Sequence, residues 1–165
     1  MRTQTGFGKI GGTANHQAFG VMLAFLRVLL GVQFFFAGWS KLTTDWSAEG
    51  YLSAASGPFA EWFHSMAGSA LVDGLNAWGL TLVGIALVLG LAVRPASFAG
   101  AAFMVLYYFA GYTDNTSHGL IEYHLVYATV FVLFMTGGAG NVFGLNTLVL
   151  GNMRKPNVWW KALLG

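Results

Sequence analysis

Long apolar stretches separated by short polar segments dominate the chain. Four of them are long enough to cross a membrane as helices: residues 18–42, 71–93, 95–113 and 120–136. A spanning helix needs about 20 mostly apolar residues, so the fourth stretch is at the short limit. The alternation of apolar and polar residues that is typical of barrel strands is missing. The pattern therefore predicts an all-α integral membrane protein, a four-transmembrane-helix bundle in a single domain.

The connection over residues 43–70 is too polar for a span and rich in aromatic residues. Aromatic rings suit the membrane interface, where their bodies are buried and their polar tips stay hydrated. The stretch "SGPFAEWFHSM" favours a helix start, with Ser56 as N-cap and Pro58 near the first helical position. We expect an outer loop with one or two short interfacial helices. Two roles stay open for it: an interfacial anchor, or a lid over a site between the helix ends.

Composition supports the membrane class and excludes several chemistries. Of the 165 residues 56% are hydrophobic and 8% are charged, with a mean hydropathy of +0.61, whereas about 25% of the residues of a soluble domain are charged. The chain has no cysteine, so disulfides, thiol relays and thiolate-held clusters are excluded. The glycine-rich "GFGKIGG" is not placed between a strand and a helix, and nothing in the chain indicates nucleic-acid binding.

The basic residues predict an orientation. Arg2 and Lys9 precede the first span, Arg94 lies between the second and third, and three basic residues follow the fourth: Arg154, Lys155 and Lys161. Four spans place all of them on one side, which the positive-inside rule assigns to the cytoplasm. The N-terminal tail (residues 1–17) and the C-terminal segment (residues 137–165) are therefore both expected to be cytoplasmic.

Arg27 interrupts the first span on the order of 13 Å from its cytoplasmic start. In a structural interpretation its side chain snorkels to the surface or bonds to the carbonyls of a broken backbone, such as those of "TGGAGN". In a functional interpretation it faces a ligand. Because the sequence places no carboxylate at a comparable depth, a simple salt bridge is not expected.

Several motifs, in this order, resemble the DoxX/DoxD-like family of small four-helix membrane proteins. They are "LRVLLGVQFFFAGWSKL", "GLTLVGIALVLGLAVRPAS", the "EYHLVYA" start of the fourth span and "GGAGNVFGLN". Asn141 and Asn146 stand where such proteins often carry arginine and aspartate, so the salt bridge of that pattern is not expected here. The resemblance implies a membrane subunit of a quinone-linked oxidoreductase of the thiosulfate:quinone type, in the plasma membrane of a prokaryote.

A quinone pocket would draw on the outer ends of the spans, which a compact bundle brings into one layer. A quinone head group needs an apolar slot, donors near its two carbonyls and a group that exchanges protons. In this hypothesis His124 and Glu122 are the catalytic residues that handle protons. The pocket residues are Arg27, Trp39, Lys41, Tyr108, Tyr112 and Tyr127.

Structural roles compete with these assignments. Within a helix that has already begun, residues two apart point about 200° from each other, so we expect Glu122 and His124 to contact different neighbours. Glu122 also suits a helix N-terminus and a pair with Lys41, and His124 suits a buried hydrogen bond to another helix. The tyrosines also suit an interfacial belt.

The expected cofactor is quinone, without haem or metal. A bis-histidine haem needs two ligands within spans, and only His124 qualifies. His118, Glu122 and His124 do not share one face, as a metal site would require. Electrons would then come from a second redox subunit or a bound cofactor, and the other expected partners are the lipid bilayer and further copies of the chain. Two alternative functions stay open: a non-enzymatic membrane anchor or assembly factor, and a small-molecule carrier with Arg27 at its midplane site.

Overall fold

The computed structural model describes residues 13–117 and 119–152, which form eight helices and confirm the all-α class. They are α1 (Thr13–Thr43), α2 (Glu49–Ser53), α3 (Ala60–His64), α4 (Ala70–Leu89), α5 (Val93–Ala110), α6 (Tyr112–Asn115), α7 (Tyr123–Thr136) and α8 (Leu145–Asn152).

Three of these helices are long and apolar enough to cross a membrane: α1 over His16–Thr43, α4 and α5. The fourth apolar helix, α7, has 14 residues. It starts later than the sequence predicted because Glu122 is extended, with φ −128° and ψ 167°. Much of the predicted charge pattern, namely Arg2, Lys9, Arg154, Lys155 and Lys161, lies outside the described residues, so the orientation stays a prediction.

A sharp turn separates α4 from α5. It falls inside residues 71–93, which the sequence predicted as one span. Gly90 has φ +64°, a left-handed conformation that glycine adopts without steric cost and that commonly ends helices. Ala92 is also left-handed, with φ 51°, and α5 begins after it. We refer to this side of the bundle as the turn end. The opposite side, where α1 ends and α4 begins, is the loop end.

Glycines allow α1 and α4 to pack closely. A Cβ atom on Gly31 would lie 2.9 Å from both Leu87 Cβ and Val88 N, and a Cβ atom on Gly84 would overlap the backbone of Phe35. Contacts this short are possible only because these residues have no side chain. Small residues that let backbones approach are characteristic of helix pairs in membranes.

The second pair, α5 and α7, contains the largest buried rings. Phe131 and Phe134 are fully buried, and a Cβ atom on Gly100 of α5 would overlap the Phe131 ring. Phe131 also meets Phe34 of α1 edge to face, with ring centroids 5.0 Å apart. Aromatic packing therefore joins the second helix pair to the first.

Arg27 binds the backbone that follows α7 at the turn end. Its side chain is 1% exposed, and Nη1 donates to the carbonyl oxygens of Ala139 and, at 3.2 Å, Val142, while Nη2 donates to Phe143 O at 3.1 Å. We call Arg27 and these three carbonyls the Arg27 clasp. The structural interpretation of Arg27 predicted such bonds, since Ala139 belongs to "TGGAGN". The clasp joins α1 to the loop that follows α7.

Asn146 connects the same loop to the α4–α5 turn. Its backbone N–H donates to Gly90 O at 3.1 Å, and its side-chain Oδ1 accepts from Ala92 N at 3.0 Å. The second bond helps to hold Ala92 in the left-handed region, a conformation that is strained for a residue other than glycine. Asn146 therefore stabilises the turn without a carboxylate.

The loop over residues 44–69 contains the short helices that the sequence predicted, α2 and α3. The predicted cap is wrong, because Phe59 precedes α3 and Ser56 Oγ instead accepts from Thr113 N at 3.1 Å. Ser56 N also donates to Ala110 O at 3.3 Å. Ser56 thus ties the loop to the end of α5 rather than starting a helix.

We predict that Gly84→Ala lowers the thermal midpoint of the protein in detergent, because the new methyl group would push α1 away from α4. Overpacking of this kind costs about 1–3 kcal/mol. Gly74→Ala on the same helix is the matched control, since a Cβ atom there meets nothing within 4 Å. Circular dichroism melts would measure both, and equal midpoints would contradict the close α1–α4 contact.

We also predict that Arg27→Met destabilises the protein by about 3 kcal/mol, because three carbonyls lose their donor. Arg27→Lys should recover only part of this loss, since an ammonium lacks the planar fork of a guanidinium. Lys41→Met is the control: it removes a cation from the same helix that makes a ring contact instead. Denaturation midpoints would test this expected order of stability among the variants. An Arg27→Met variant as stable as the wild type would exclude a structural role for the clasp.

Candidate functional site

A cavity of about 530 Å³ lies at the loop end. Its walls come from the end of α1, from the loop with α2 and α3, from the start of α4, and from the adjoining parts of α5, α6 and α7. Most of the lining is apolar or aromatic. Polar groups reach it from a few positions, which include Lys41, Asn76, Tyr107 and His124. Small-molecule sites commonly have this size and this mixture of a mainly apolar wall with a few polar groups.

Hydrogen bonds hold the loop over the cavity. Tyr51 of α2 donates its hydroxyl hydrogen to Tyr107 O at 3.0 Å, and Asn115 Nδ2 donates to the same oxygen at 3.2 Å. At the start of α4, Asp73 Oδ1 accepts from Ala48 N at 2.8 Å. The loop therefore contributes a wall of the cavity and does not lie apart from the bundle.

Glu122 and His124 form a pair beside the cavity. Glu122 Oε2 accepts from His124 N at 2.9 Å and lies 2.6 Å from His124 Nδ1. The prediction of separate neighbours is wrong because α7 begins at Tyr123. Glu122 is the extended residue before the helix, so its side chain turns back over the first helical turn. Its carboxylate caps the helix through a backbone N–H and holds the imidazole at the same time.

The pair determines how His124 meets the cavity. The ring is largely buried, at 7% exposed, with its centroid 4.1 Å from that of Tyr123 and 5.8 Å from that of Tyr107. A carboxylate at Nδ1 holds the proton on that nitrogen in the neutral imidazole, which leaves Nε2 as an acceptor.

Asn76 and Tyr107 contribute polar side chains to the cavity lining. The Asn76 amide is close enough to interact with the Tyr107 phenol. Even so, within the described part of the chain neither Asn76 Oδ1 nor the Tyr107 hydroxyl has a partner of hydrogen-bond geometry, and both atoms are buried. Buried polar atoms are almost always paired, so this part of the cavity wall is suited to a ligand with polar groups.

Lys41 and Tyr51 contribute further polar groups to the wall. The Lys41 ammonium lies 4.0 Å from the centroid of the Trp46 ring, a cation–π contact. It does not pair with Glu122, whose carboxylate is held by His124. Burial, followed by the nearby Tyr123, Glu122 and Asp114, raises the pKa of Tyr51 above its usual value. Tyr51 therefore stays protonated and able to donate at neutral pH.

The other predicted pocket residues lie outside the cavity lining. Trp39 is 49% exposed and stacks on Phe35, and Tyr112 stacks on Phe109. Tyr108 is buried but donates to Leu120 O at 2.9 Å. Tyr127 accepts from Gln33 Nε2 at 3.1 Å. These contacts place the four rings in the framework around the site.

Arg27 lies at the turn end and is not part of the cavity wall. Its two terminal nitrogens donate to the carbonyls of the clasp. The carrier interpretation depended on this residue facing a ligand at the midplane. Its bonds favour the structural interpretation.

Sequence reasoning missed Tyr107 as a cavity residue and did not assign Asn76 to the pocket. Tyr107 and Tyr108 are neighbours in one helix and differ by about 100° in direction, and both faces of α5 are apolar, so the sequence could not choose between them. Asn76 did carry a signal. An amide in an apolar membrane helix usually faces the bundle interior or a water-filled cavity.

Across residues 13–117 and 119–152, no three His, Asp or Glu side chains come together as a candidate metal site. Of the residues considered for a metal site, His118 lies outside the described residues.

A comparison with family models matches residues 22–113, more than half of the chain, to the DoxX family. The match includes the first two motifs on which the resemblance rested and ends before α7 and the Glu122–His124 pair. No curated protein and no solved structure matches the chain. Together with the apolar helices, the match identifies the chain as a multi-pass membrane protein that belongs to the DoxX family.

Proposed function

We propose that this protein is the membrane subunit of a quinone-linked oxidoreductase and that the cavity at the loop end binds the quinone head group. The observation that carries the proposal is the combination of an apolar cavity of about 530 Å³ with unpaired polar atoms and a histidine held by a carboxylate. A structural core has no need of this combination.

The residues of the cavity fit a quinone. Aromatic and aliphatic side chains suit its ring and tail, and the Tyr107 hydroxyl is a buried donor that has no protein partner among the described residues. His124 supplies the proton-exchanging group that quinone chemistry requires. Asn76 and Tyr107 lie next to each other, so two polar contacts are offered from one wall.

His124 would move protons between the quinone oxygen and the surroundings. Protonated His124 donates from Nε2 to a quinone oxygen as electrons arrive, and Glu122 then holds the neutral ring in the Nδ1–H form. In the reverse direction Nε2 takes the proton while Glu122 Oε2 stays in contact with Nδ1. Glu122 is exposed at 16% of its side chain, so it also connects the ring to solvent.

Electrons would come from another component or a bound cofactor, because a chain without cysteine has no thiol or thiolate-held cluster of its own to supply them. A second redox subunit carrying its own cofactor is the expected partner, and oxidation of a sulfur compound is the expected donor reaction. Further copies of the chain would complete the complex within the lipid bilayer. Exposed apolar side chains on α1, such as Met22, Phe25 and Leu29, suit contact with lipid or with such partners.

We also propose that α7 is a fourth crossing and that both termini lie in the cytoplasm of a prokaryotic cell. The start of α7 lies at the loop end, beside Tyr107. The segment after it reaches Arg27 at the turn end. Its 14 residues rise about 21 Å, and the segments on either side would cover the rest of the hydrocarbon layer.

We predict that the wild-type protein, reconstituted in lipid nanodiscs, binds a short-tailed benzoquinone and that His124→Ala weakens binding roughly tenfold, because a hydrogen bond in a buried site is lost. Glu122→Gln should have a smaller effect, since glutamine still accepts from His124 N. Titration calorimetry, together with extraction of quinone that copurifies with the protein, would measure both.

His16→Ala is the matched control for this experiment, since His16 is an exposed residue near the opposite end of α1. It should bind quinone as the wild type does. Wild-type protein that holds no quinone, alone or within the complex isolated from its native membrane, would refute the proposed function. A His124→Ala protein with unchanged affinity would remove His124 from the site.

We predict opposite accessibilities for single cysteines introduced at Ser53 and Asn152, in a chain that has none of its own. A membrane-impermeant maleimide applied to intact spheroplasts should label Ser53→Cys, in α2, and should label Asn152→Cys only after permeabilisation. If both are labelled in intact cells, α7 does not cross the membrane. If only Asn152→Cys is labelled, the orientation is the reverse of the proposed one.

A further inference from the structure

One polar atom of the cavity residues can accept a hydrogen bond but cannot donate one to a quinone. Asn76 Oδ1 is a buried acceptor with no partner among the described residues. His124 lines the same cavity, and its Nε2 donates when the ring is protonated and accepts when the ring is neutral. Asn76 Oδ1, in contrast, can only accept.

The Tyr107 hydroxyl is compatible with either kind of partner, since a phenol both donates and accepts. It lies beside the Asn76 amide, and its ring contacts His124 edge to face, with centroids 5.8 Å apart. Tyr107 thus lies beside both Asn76 and His124. Because Tyr107 and His124 can each donate or accept, Asn76 Oδ1 decides the balance of the polar wall.

The two redox forms of the ligand differ in what they offer these groups. The oxygens of a quinone only accept hydrogen bonds, whereas each hydroxyl of the hydroquinone donates one. A quinone oxygen beside Asn76 Oδ1 would have no hydrogen between the two oxygens. A buried acceptor left without a donor costs about 1–3 kcal/mol.

We infer that the cavity binds the hydroquinone form more tightly than the quinone form and that Asn76 is the residue that sets this preference. The inference rests on the proposed function and deepens it. Tighter binding of the reduced form makes the bound ligand easier to reduce than the free one. A tenfold preference raises the midpoint potential of a bound two-electron couple by about 30 mV. The site would therefore favour electron acceptance by the quinone over its release of electrons.

The test compares both redox forms on the full chain in lipid nanodiscs. A short-tailed benzoquinone and the corresponding hydroquinone are titrated separately by calorimetry under anaerobic conditions. We expect the wild-type protein to bind the hydroquinone roughly tenfold more tightly, which corresponds to one unpaired acceptor in the quinone complex. This comparison requires no variant and so does not depend on the folding of a mutant.

Asn76→Leu tests the assigned residue, because leucine has a similar size and neither accepts nor donates. The variant should lose most of the preference for the hydroquinone, because the acceptor that distinguishes the two redox forms is removed. Asn152→Leu makes the same change at an exposed position outside the cavity and should keep the full preference. Circular dichroism melts of each variant identify any loss of folding.

The outcomes separate this inference from the function on which it rests. If the wild-type protein binds neither form, the proposed function fails together with the inference. If it binds both forms equally, or the quinone more tightly, the proposed function stands and the inference is refuted. If Asn76→Leu is folded and keeps the preference, Asn76 does not set it.

Discussion

The bonds between the Arg27 guanidinium and the carbonyls of residues 139, 142 and 143 organise the turn end of the molecule. After α7 the backbone leaves the helix within an apolar environment, where carbonyl groups without partners are costly. Arg27 supplies the donors from α1, the helix that is most distant along the chain from these carbonyls. It thereby fixes the end of α7 against the α1–α4 pair, and the Asn146 contacts with Gly90 and Ala92 extend the same connection to the α4–α5 turn.

Two helix pairs of different character follow from this arrangement. Glycines bring α1 and α4 into backbone contact. Large rings such as Phe34 and Phe131 fill the space between the two pairs and pack them against each other. At the loop end α2, α3 and the adjoining loop cover the space between the pairs, and the space that remains is the cavity. The structural cation and the polar cavity groups thus occupy opposite ends of the bundle.

The candidate site shows where sequence reasoning reached its limit. The polar layer at the helix ends was predictable, because Lys41, Glu122 and His124 flank apolar stretches. The contact between Glu122 and His124 was not predictable, because it depends on a helix that starts later than the pattern suggested. The sequence also did not show that Tyr107, rather than Tyr108, lines the cavity. The two rings point in different directions, and only the packing of α4 and α7 around α5 decides which one meets the cavity.

The sequence by itself determined the membrane class, the family, the approximate positions of the apolar helices and the presence of short helices in the loop. The family rests on the resemblance of the motifs, and the other properties depend on local composition and on the length needed to cross an apolar layer, which a single chain segment displays. The tertiary structure decided which faces pack, which polar atoms are paired and where the cavity lies. The helices are apolar on most of their surface, so periodicity does not identify the packed face. Pairing between residues as distant as Arg27 and Phe143 exists only once the chain has folded.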